Sequence, residues 1–595
     1  EGICIVALLG NLTGSAPFFN PNRFYNDIAT QSLRLDDGSS AYLSRTPASA
    51  GNRKTWTWSG WVKRSNLGAT HTLFDSRPTG EFAFGFLSGD TFYVASSSNF
   101  RITNQVFRDV SSWYHFVVVL DTTQATGSNR IKVYVNGNQI TSFGTSADPS
   151  QNAEFGVNFT QLHSLGRYTS GGYFDGYMAE VNLIDGQALD PTYFGEFKNG
   201  VWIAKRYTGS YGTNGFRLQF NQTGTGSASS STIGADTSGN ANHFSSSGIV
   251  ASDCDMPDSP ENNFPTWNPI APDPTYGITT FSEGNLKSLN SPANNKYSEI
   301  TFRLDQTNKY YFEYYNITTT GALQPASFEI FASSSNKVGF YITTAGYITL
   351  DGAIIGSGFP TLSAGDIMNI AFDGASGKVW FGKNGTYYNA SGSATGNPAD
   401  GTNPIATVTS AEFKMTSVFY QQGAIMNFGQ DSTFAGGTTA GGNTDDNGIG
   451  DFKYSVPSGY LALCTANLPE PTISPNADEQ ADDYFNTVLY TGNGSTQSIN
   501  VGFAVDFAWL KRRDSAGNHF LLDTVRGATK QIYSDLTLAE ETRDSITSFS
   551  STGYDLGNYV GSNGSAYTMV AWNWKAGGTA VSNTDGSITS SVSAN

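Results

Sequence analysis

No stretch of this chain sustains the 3.6-residue apolar period of a helix, while strand-length apolar runs recur from end to end, closed by Gly, Asn, Asp or Ser. A chain patterned in this way must build its cores from sheets. In Ile131-Lys132-Val133-Tyr134-Val135 the odd positions form one apolar face, and Lys132 and Tyr134 are expected on the solvent side. Asn136-Gly137 then supplies the two residues tolerant of positive φ that a two-residue hairpin needs. The same logic returns later: residues 367–372 and Asp373 are followed by Lys378-Val379-Trp380-Phe381-Gly382, leading into Lys383-Asn384-Gly385. Val379 and Phe381 are expected inside and Lys378 outside. The best helical candidate, residues 537–544, amounts to one or two turns. The expected class is all-β, with tandem β-sandwich modules joined by Gly/Ser/Pro-rich linkers.

Composition narrows the function. The chain has 66 glycines and 21 prolines, which favour turns, and 13% aromatic residues, enough ring area for several thin cores. A net charge of −17 with no dense Lys/Arg cluster repels phosphate backbones and anionic headgroups, so nucleic acid is not expected as a partner. Cys4, Cys254 and Cys464 are odd in number and far apart, which fits neither a zinc site nor a disulfide framework. The longest early apolar run, residues 3–9, falls far short of the roughly 20 residues that span a bilayer. It reads as a buried strand, and membrane insertion is not expected. Beginning at Glu1 and stopping at Asn595 within a polar segment, the sequence reads as a piece of a longer protein.

Breaks in composition divide the chain. Residues 221–274 are rich in Gly, Ser, Asn and Pro and read as a linker able to pack along a domain surface; residues 435–450 form a second, and Pro469, Pro471 and Pro475 mark a third boundary. The expected organisation is an N-terminal segment 1–29, a sandwich at 30–205, a linker and extended segment at 206–295, a second sandwich at 296–432, a linker at 433–479, and a β-rich C-terminal module at 480–595 that reads as incomplete.

The motifs in these modules resemble known families. Trp56-Thr57-Trp58-Ser59-Gly60-Trp61-Val62, Trp113-Tyr114-His115, Val133-Tyr134-Val135-Asn136-Gly137 and Phe174-Asp175-Gly176-Tyr177 resemble a laminin-G-like module of the concanavalin A, jelly-roll-like type. Tyr310-Tyr311-Phe312-Glu313, Gly377-Lys378-Val379-Trp380-Phe381 and Asn427-Phe428-Gly429-Gln430 are similar to a SPRY domain. Asp506-Phe507-Ala508-Trp509 and Val570-Ala571-Trp572-Asn573-Trp574 resemble a module of marine bacteriophage virion proteins. The order of modules resembles phage tail-fibre or capsid-fibre proteins. That resemblance implies a place on the virion surface, host attachment and carbohydrate binding, with a homotrimer or other homo-oligomer, other virion proteins and a host-surface glycan as partners.

The chemistry of hydrolysis is missing from the sequence motifs, so no catalytic residue is expected. Polysaccharide hydrolases of this fold carry paired carboxylates. The nearest pair, Asp175 and Glu180, is five residues apart and is expected to be surface or turn residues on opposite strand faces. His115 is expected to be a hydrogen-bonded structural histidine. Among cofactors only calcium is entertained: relatives of the laminin-G type hold it at the sandwich rim, which makes Asp75, Asp121 and Asp175 weak candidates. The loop of Asn443, Asp445 and Asn447 lacks the final carboxylate of a calcium loop and reads as flexible linker. Eight Asn-x-Ser/Thr triplets, at Asn11, Asn158, Asn221, Asn316, Asn384, Asn389, Asn493 and Asn563, are no more than so Asn-, Ser- and Thr-rich a chain gives by chance. Ring faces and amides on glycine-rich loops suit sugars, whose apolar faces stack and whose hydroxyls need partners. Two loops qualify, giving Arg167, Tyr168 and Tyr173 on one and Tyr387 and Tyr388 on the other as ligand-binding candidates, against the ordinary and favoured reading that tyrosines in such loops pack on neighbouring domains or on a second subunit. A tailspike-like polysaccharide depolymerase and a secreted bacterial adhesin are the alternative readings.

Overall fold

The computed structural model describes residues 24–469 and 480–592, less the stretches 271–279, 290–295, 318–326, 334–335, 342–346, 351–352, 409–413, 420–422, 577–580 and 584–588 and the single residues 79, 170 and 357. Residues 3–9 with Cys4, Asn11, Pro471 and Pro475 lie outside the described residues. The chain is nearly all β, with multiple antiparallel sheets, and forms two compact units, Glu1–Pro469 and Glu470–Asn595. Among the described residues no helix is long and apolar enough to cross a membrane.

The first unit contains two sandwiches. In the first, a seven-stranded sheet ordered Leu33–Leu35, Gly176–Asp185, Thr55–Arg64, Tyr114–Asp121, Ile131–Val135, Asn138–Gln139, with Phe216–Leu218 also paired to Gly176–Asp185, faces an eight-stranded sheet. That second sheet runs Phe143–Ser146, Asn99–Val106, Thr91–Ala95, Phe82–Phe86, His71–Arg77, Leu162–Leu165, Tyr42–Arg45, Ser245–Ser247. Aromatic rings fill the space between them, with Phe92 and Phe116 stacked at 4.6 Å and Trp58 edge-on to Phe84 at 5.0 Å.

Alternation places Ile131 and Val133 in this core, with Val135 packed against it. The expectation for Tyr134 and Lys132 needs correcting, because both are half-buried. Residues 189–211 fold across the outer sheet face, and Phe194, Tyr207 and Tyr211 enclose Tyr134 together with Val117 and Val119. In the second sandwich Val379 and Phe381 are fully buried as expected, but Lys378 is half-buried and its Nζ donates to the Gly401 carbonyl at 2.9 Å.

Both hairpins use the same device. Asn136 and Gly137 have φ of 45° and 80°, and Asn384 and Gly385 have 50° and 84°. In each, the asparagine also extends the sheet. His115 N donates to Asn136 Oδ1 at 2.8 Å while Asn136 N donates to His115 O at 2.9 Å; Ile367 and Asn384 exchange the equivalent bonds at 2.9 and 2.8 Å. Asparagine therefore satisfies both the left-handed backbone and an otherwise orphaned strand amide.

Glycine- and serine-rich composition turns out to mark close packing. Where it is described, the stretch 206–295 is bonded into the sandwiches: Phe216–Leu218 and Ser245–Ser247 are strands of the first, Thr280–Ser282 and Lys287–Leu289 strands of the second. Phe244, Phe264 and Trp267 along it are fully buried. A Cβ on Gly234 would meet the Phe244 carbonyl at 2.2 Å, so only glycine fits there. Residues 435–450 are likewise an ordered loop rather than a flexible one. Asp445 accepts hydrogen bonds from the amides of Asn447, Ile449 and Ala462 and from Asn467 Nδ2, which leaves it a loop-forming residue.

A buried polar seam joins the two sandwiches. Lys63 Nζ lies 2.8 Å from Asp258, 2.7 Å from Asn263 Oδ1 and 2.8 Å from the Phe264 carbonyl. Arg34 binds Asp253 at 2.9 Å and Asp431 at 3.2 Å, and Tyr177 donates to the Gly284 carbonyl. The second unit is a smaller sandwich. Its six-stranded sheet is ordered Phe485–Thr491, Thr568–Trp574, Phe507–Arg512, His519–Asp523, Lys530–Tyr533, Glu541–Thr542, and three further strands close the core. No helix forms over 537–544: Leu538 is 54% exposed, with no apolar face to dock, and Glu541–Thr542 pairs with Lys530–Tyr533 instead.

Candidate functional site

Alternation along Tyr42–Arg45 buries Leu43 in the core and leaves Tyr42 and Ser44 on the outer face of the eight-stranded sheet. Residues 166–169 and 171–173 fold back over that face. Thr72 N donates to Gly172 O at 2.8 Å, Tyr168 and Gly171 exchange backbone bonds at 2.9 and 2.8 Å, and Thr169 N donates to Asp75 Oδ2 at 3.3 Å. Gly166 and Gly172, at φ of 85° and 55°, let the loop turn out of and back toward the sheet.

The consequence is a double stack of arginine on tyrosine. The Arg77 guanidinium lies 3.4 Å from the Tyr168 ring centroid, and Arg167 lies 3.5 Å from that of Tyr42. Tyr173 sits beside Tyr42, with ring centroids 6.4 Å apart. Tyr168 is 39% exposed, so ring surface and guanidinium N–H groups reach solvent together. Arg77 is paired with Asp75 and Glu81, whereas among the described residues Arg167 has no acidic partner. Sequence reasoning found the loop but missed Tyr42 and Arg77. They reach the site from neighbouring strands, and only the strand order could have signalled that.

Tyr387 and Tyr388 belong elsewhere. Thr386–Tyr388 pairs with Lys378–Lys383 in the second sandwich, and both rings pack on its core. Burial pushes the Tyr387 hydroxyl well above its usual range, and Tyr388 meets Phe359 at 5.1 Å. Both are half-buried rings packed on the core of their own sandwich, as the ordinary reading of such loop tyrosines has it.

The three metal candidates also part company. Asp75 anchors the loop through Thr169 and Arg77. Asp121 is consumed by its own turn, accepting from Thr123, Gln124 and Thr55. Asp175 is different. It is 1% exposed, and among the described residues its carboxyl has no hydrogen-bond partner but the Asp37 carboxyl. Asp36 and Asp37, which follow strand Leu33–Leu35, bring their carboxylates to within 4.8 Å of it and of each other. Burial, then Asp37 and Asp36, push the Asp175 carboxyl well above its ordinary range. A hard divalent cation such as calcium fits a donor set of three converging carboxylates, one of them desolvated. Asp36 and Asp37 were missed in the sequence, where Asp-Asp-Gly at a strand end reads as a plain turn.

Two further groups prove structural. Glu180 is a buried residue rather than a surface one, held by Arg217 through contacts of 2.6 and 3.0 Å. His115 Nδ1 accepts from Trp202 Nε1 at 3.0 Å, so its Nε2 carries the proton toward Ser59 Oγ at 2.8 Å. Burial lowers its pKa to about 3, and it cannot act as a base on an external substrate from 1% exposure. Asn158, Asn316 and Asn563, each the asparagine of an Asn-x-Ser/Thr triplet, are also buried.

Solved structures that overlay the chain do so loosely. A candidate carbohydrate-binding protein from Bacteroides ovatus is 16% identical over 38% of this chain and 60% of its own, with a TM-score of 0.26. The human HERC1 SPRY domain is 14% identical over 27% of this chain and 98% of its own, with a TM-score of 0.20. Domains LG4-5 of the mouse laminin alpha1 chain are 8% identical over 76% of this chain and 91% of their own, with a TM-score of 0.23. At such scores the overlays carry no argument about function. No curated protein matches the chain. Residues 480–595 match a domain family of unknown function (DUF7483). Residues 37–192, which hold the arginine–tyrosine stack and, of the carboxylate cluster, Asp37 and Asp175, match the concanavalin A-like lectin/glucanases superfamily, a group whose name spans binding and hydrolysis alike.

Proposed function

We propose that the chain is a carbohydrate-binding, adhesive protein whose ligand meets the outer face of the first sandwich at residues 166–173. The observation that carries this reading is the double stack: two tyrosine rings held by guanidinium groups 3.4 and 3.5 Å away, with Tyr168 open to solvent. A sugar's apolar face packs on such a ring while Arg167 offers donors to its hydroxyls or carboxylate. Calcium at Asp36, Asp37 and Asp175 is part of the proposal, as a structural ion beside the strand ends that frame the sheet. Placement on a viral fibre rests on the resemblance in module order alone.

Glycan-array binding followed by titration tests the reading. Tyr168→Ala and Arg167→Ala are each expected to weaken the bound glycan by at least about tenfold, roughly 1.4 kcal/mol. Unchanged affinity in both would remove the loop from the ligand site. New reducing ends from an incubated polysaccharide would instead favour the depolymerase.

A further inference from the structure

The two arginine–tyrosine stacks on the first sandwich differ in charge. At the Tyr168 stack, Arg77 is already matched: its Nε donates to Asp75 Oδ1 at 3.1 Å and its Nη1 lies 2.8 Å from Glu81. Asp75 spends its other oxygen on the Thr169 amide at 3.3 Å. That stack has no spare positive charge. It offers the exposed Tyr168 ring, an apolar surface whose own cation is already neutralised.

Arg167, adjacent to Tyr168 in the chain, is held differently. Its guanidinium lies 3.5 Å from the Tyr42 ring centroid, and its Nε donates to Ser164 Oγ at 3.3 Å. The ring fixes the plane of the group, and the serine fixes its direction. Among the described residues no protein acceptor meets Nη1 or Nη2, and no carboxylate pairs with the charge. The edge left free presents two parallel N–H donors in one fixed plane, the geometry that a carboxylate accepts with both oxygens. Arg167 is half-buried and keeps part of its surface in solvent.

We infer that the glycan bound at this loop is acidic, with a sugar carboxylate on the Nη1–Nη2 edge of Arg167 and a ring face on Tyr168. The inference rests on the carbohydrate-binding reading above and commits it to one class of sugar, the uronic and sialic acids. Hydroxyls of a neutral sugar can meet the same donors, but a charge-assisted pair is roughly twice as strong as a neutral hydrogen bond. The charge of the chain decides against the other anionic class. A net charge of −17 with no dense Lys/Arg cluster opposes a heavily sulfated chain, whose closely spaced charges need several cations. One unpaired arginine suits the isolated carboxylate of a single acidic sugar.

A glycan array that shows each carboxylated glycan beside its carboxyl-reduced form, followed by titration of the strongest binder against the full chain, is the test. Reduction is expected to weaken binding at least about tenfold. Arg167→Gln is expected to weaken the acidic form equally and to leave the reduced form within about twofold, with circular dichroism unchanged, so that the two losses do not add. Neutral glycans bound as tightly as acidic ones, and lost in Tyr168→Ala, would overturn the inference and leave the carbohydrate-binding reading standing. No glycan bound at all would remove both. Sulfated glycans bound in preference to carboxylated ones would also overturn it. So would an acidic glycan released by a calcium chelator yet held by Arg167→Gln, which would give the carboxylate to the metal.

Discussion

Under the proposed calcium site, Asp175 would serve the ion while its burial destabilises the fold that holds it. Its folded pKa is raised, by burial first and then by Asp37 and Asp36, above the roughly 3.9 of a free carboxyl. A group shifted in that direction adds stability below the unfolded pKa, and this is lost as pH rises through the folded value. In chelator, the wild type is therefore expected to lose thermal stability relative to Asp175→Asn as pH is raised from about 4 toward 7, and calcium should reverse the loss in the wild type alone. His71, His115 and His163, lowered by burial to about 4, 3 and 4, act with the opposite sign, costing stability as pH falls below about 6.5. Comparison of the two chains cancels the histidines. A calcium-dependent melting shift that persists in Asp175→Asn would remove this cluster as the ion's site.

Among the elements, the paired hairpins carry the most transferable lesson. Gly137 has φ of 80°, and a Cβ there would stand 2.5 Å from the Trp202 ring, so Gly137→Ala meets both backbone strain and an aromatic clash. Chemical denaturation should register a loss of about 2 kcal/mol or more, whereas Asn136→Gly, which keeps the turn and loses only the side-chain bond to His115, should cost about 1 kcal/mol. Equal losses would mean the turn geometry is not what selects these residues. These turns were legible because Asn-Gly encodes its own backbone. So were the strands before them, since a period of two survives any tertiary arrangement. The outward face of Tyr134 was not legible, because residues 189–211 cover it and their destination is a matter of topology. The surroundings of Tyr387 were open for the same reason. A tyrosine after a turn looks alike whether its ring meets solvent or the core. The cluster of Asp36 and Asp37 with Asp175 joins residues about 140 positions apart, a distance over which no local pattern reports.

For the whole molecule, the buried seam decides how many pieces unfold. Lys63 is 1% exposed and makes three polar contacts to residues 258–264, which lead directly into the second sandwich; Arg34 bridges Asp253 and Asp431 with its side chain fully buried. Such groups give little net stability when intact, but removing one partner strands a charge at a cost of about 3–5 kcal/mol. The two sandwiches should therefore melt together, and calorimetry of the full chain should show two transitions, one for residues up to Pro469 and one for the rest, where three separate modules would give three. Lys63→Ala leaves Asp258 buried with Trp113 Nε1 and the Phe264 amide as its remaining donors. It should lower the larger transition and split it, because the first sandwich then gains less from its neighbour. Lys63→Met together with Asp258→Leu, which removes both charges, should recover much of the lost stability. If Lys63→Ala shifts neither the midpoint nor the number of transitions, the seam is a bystander and the two sandwiches are held together by their apolar contacts alone.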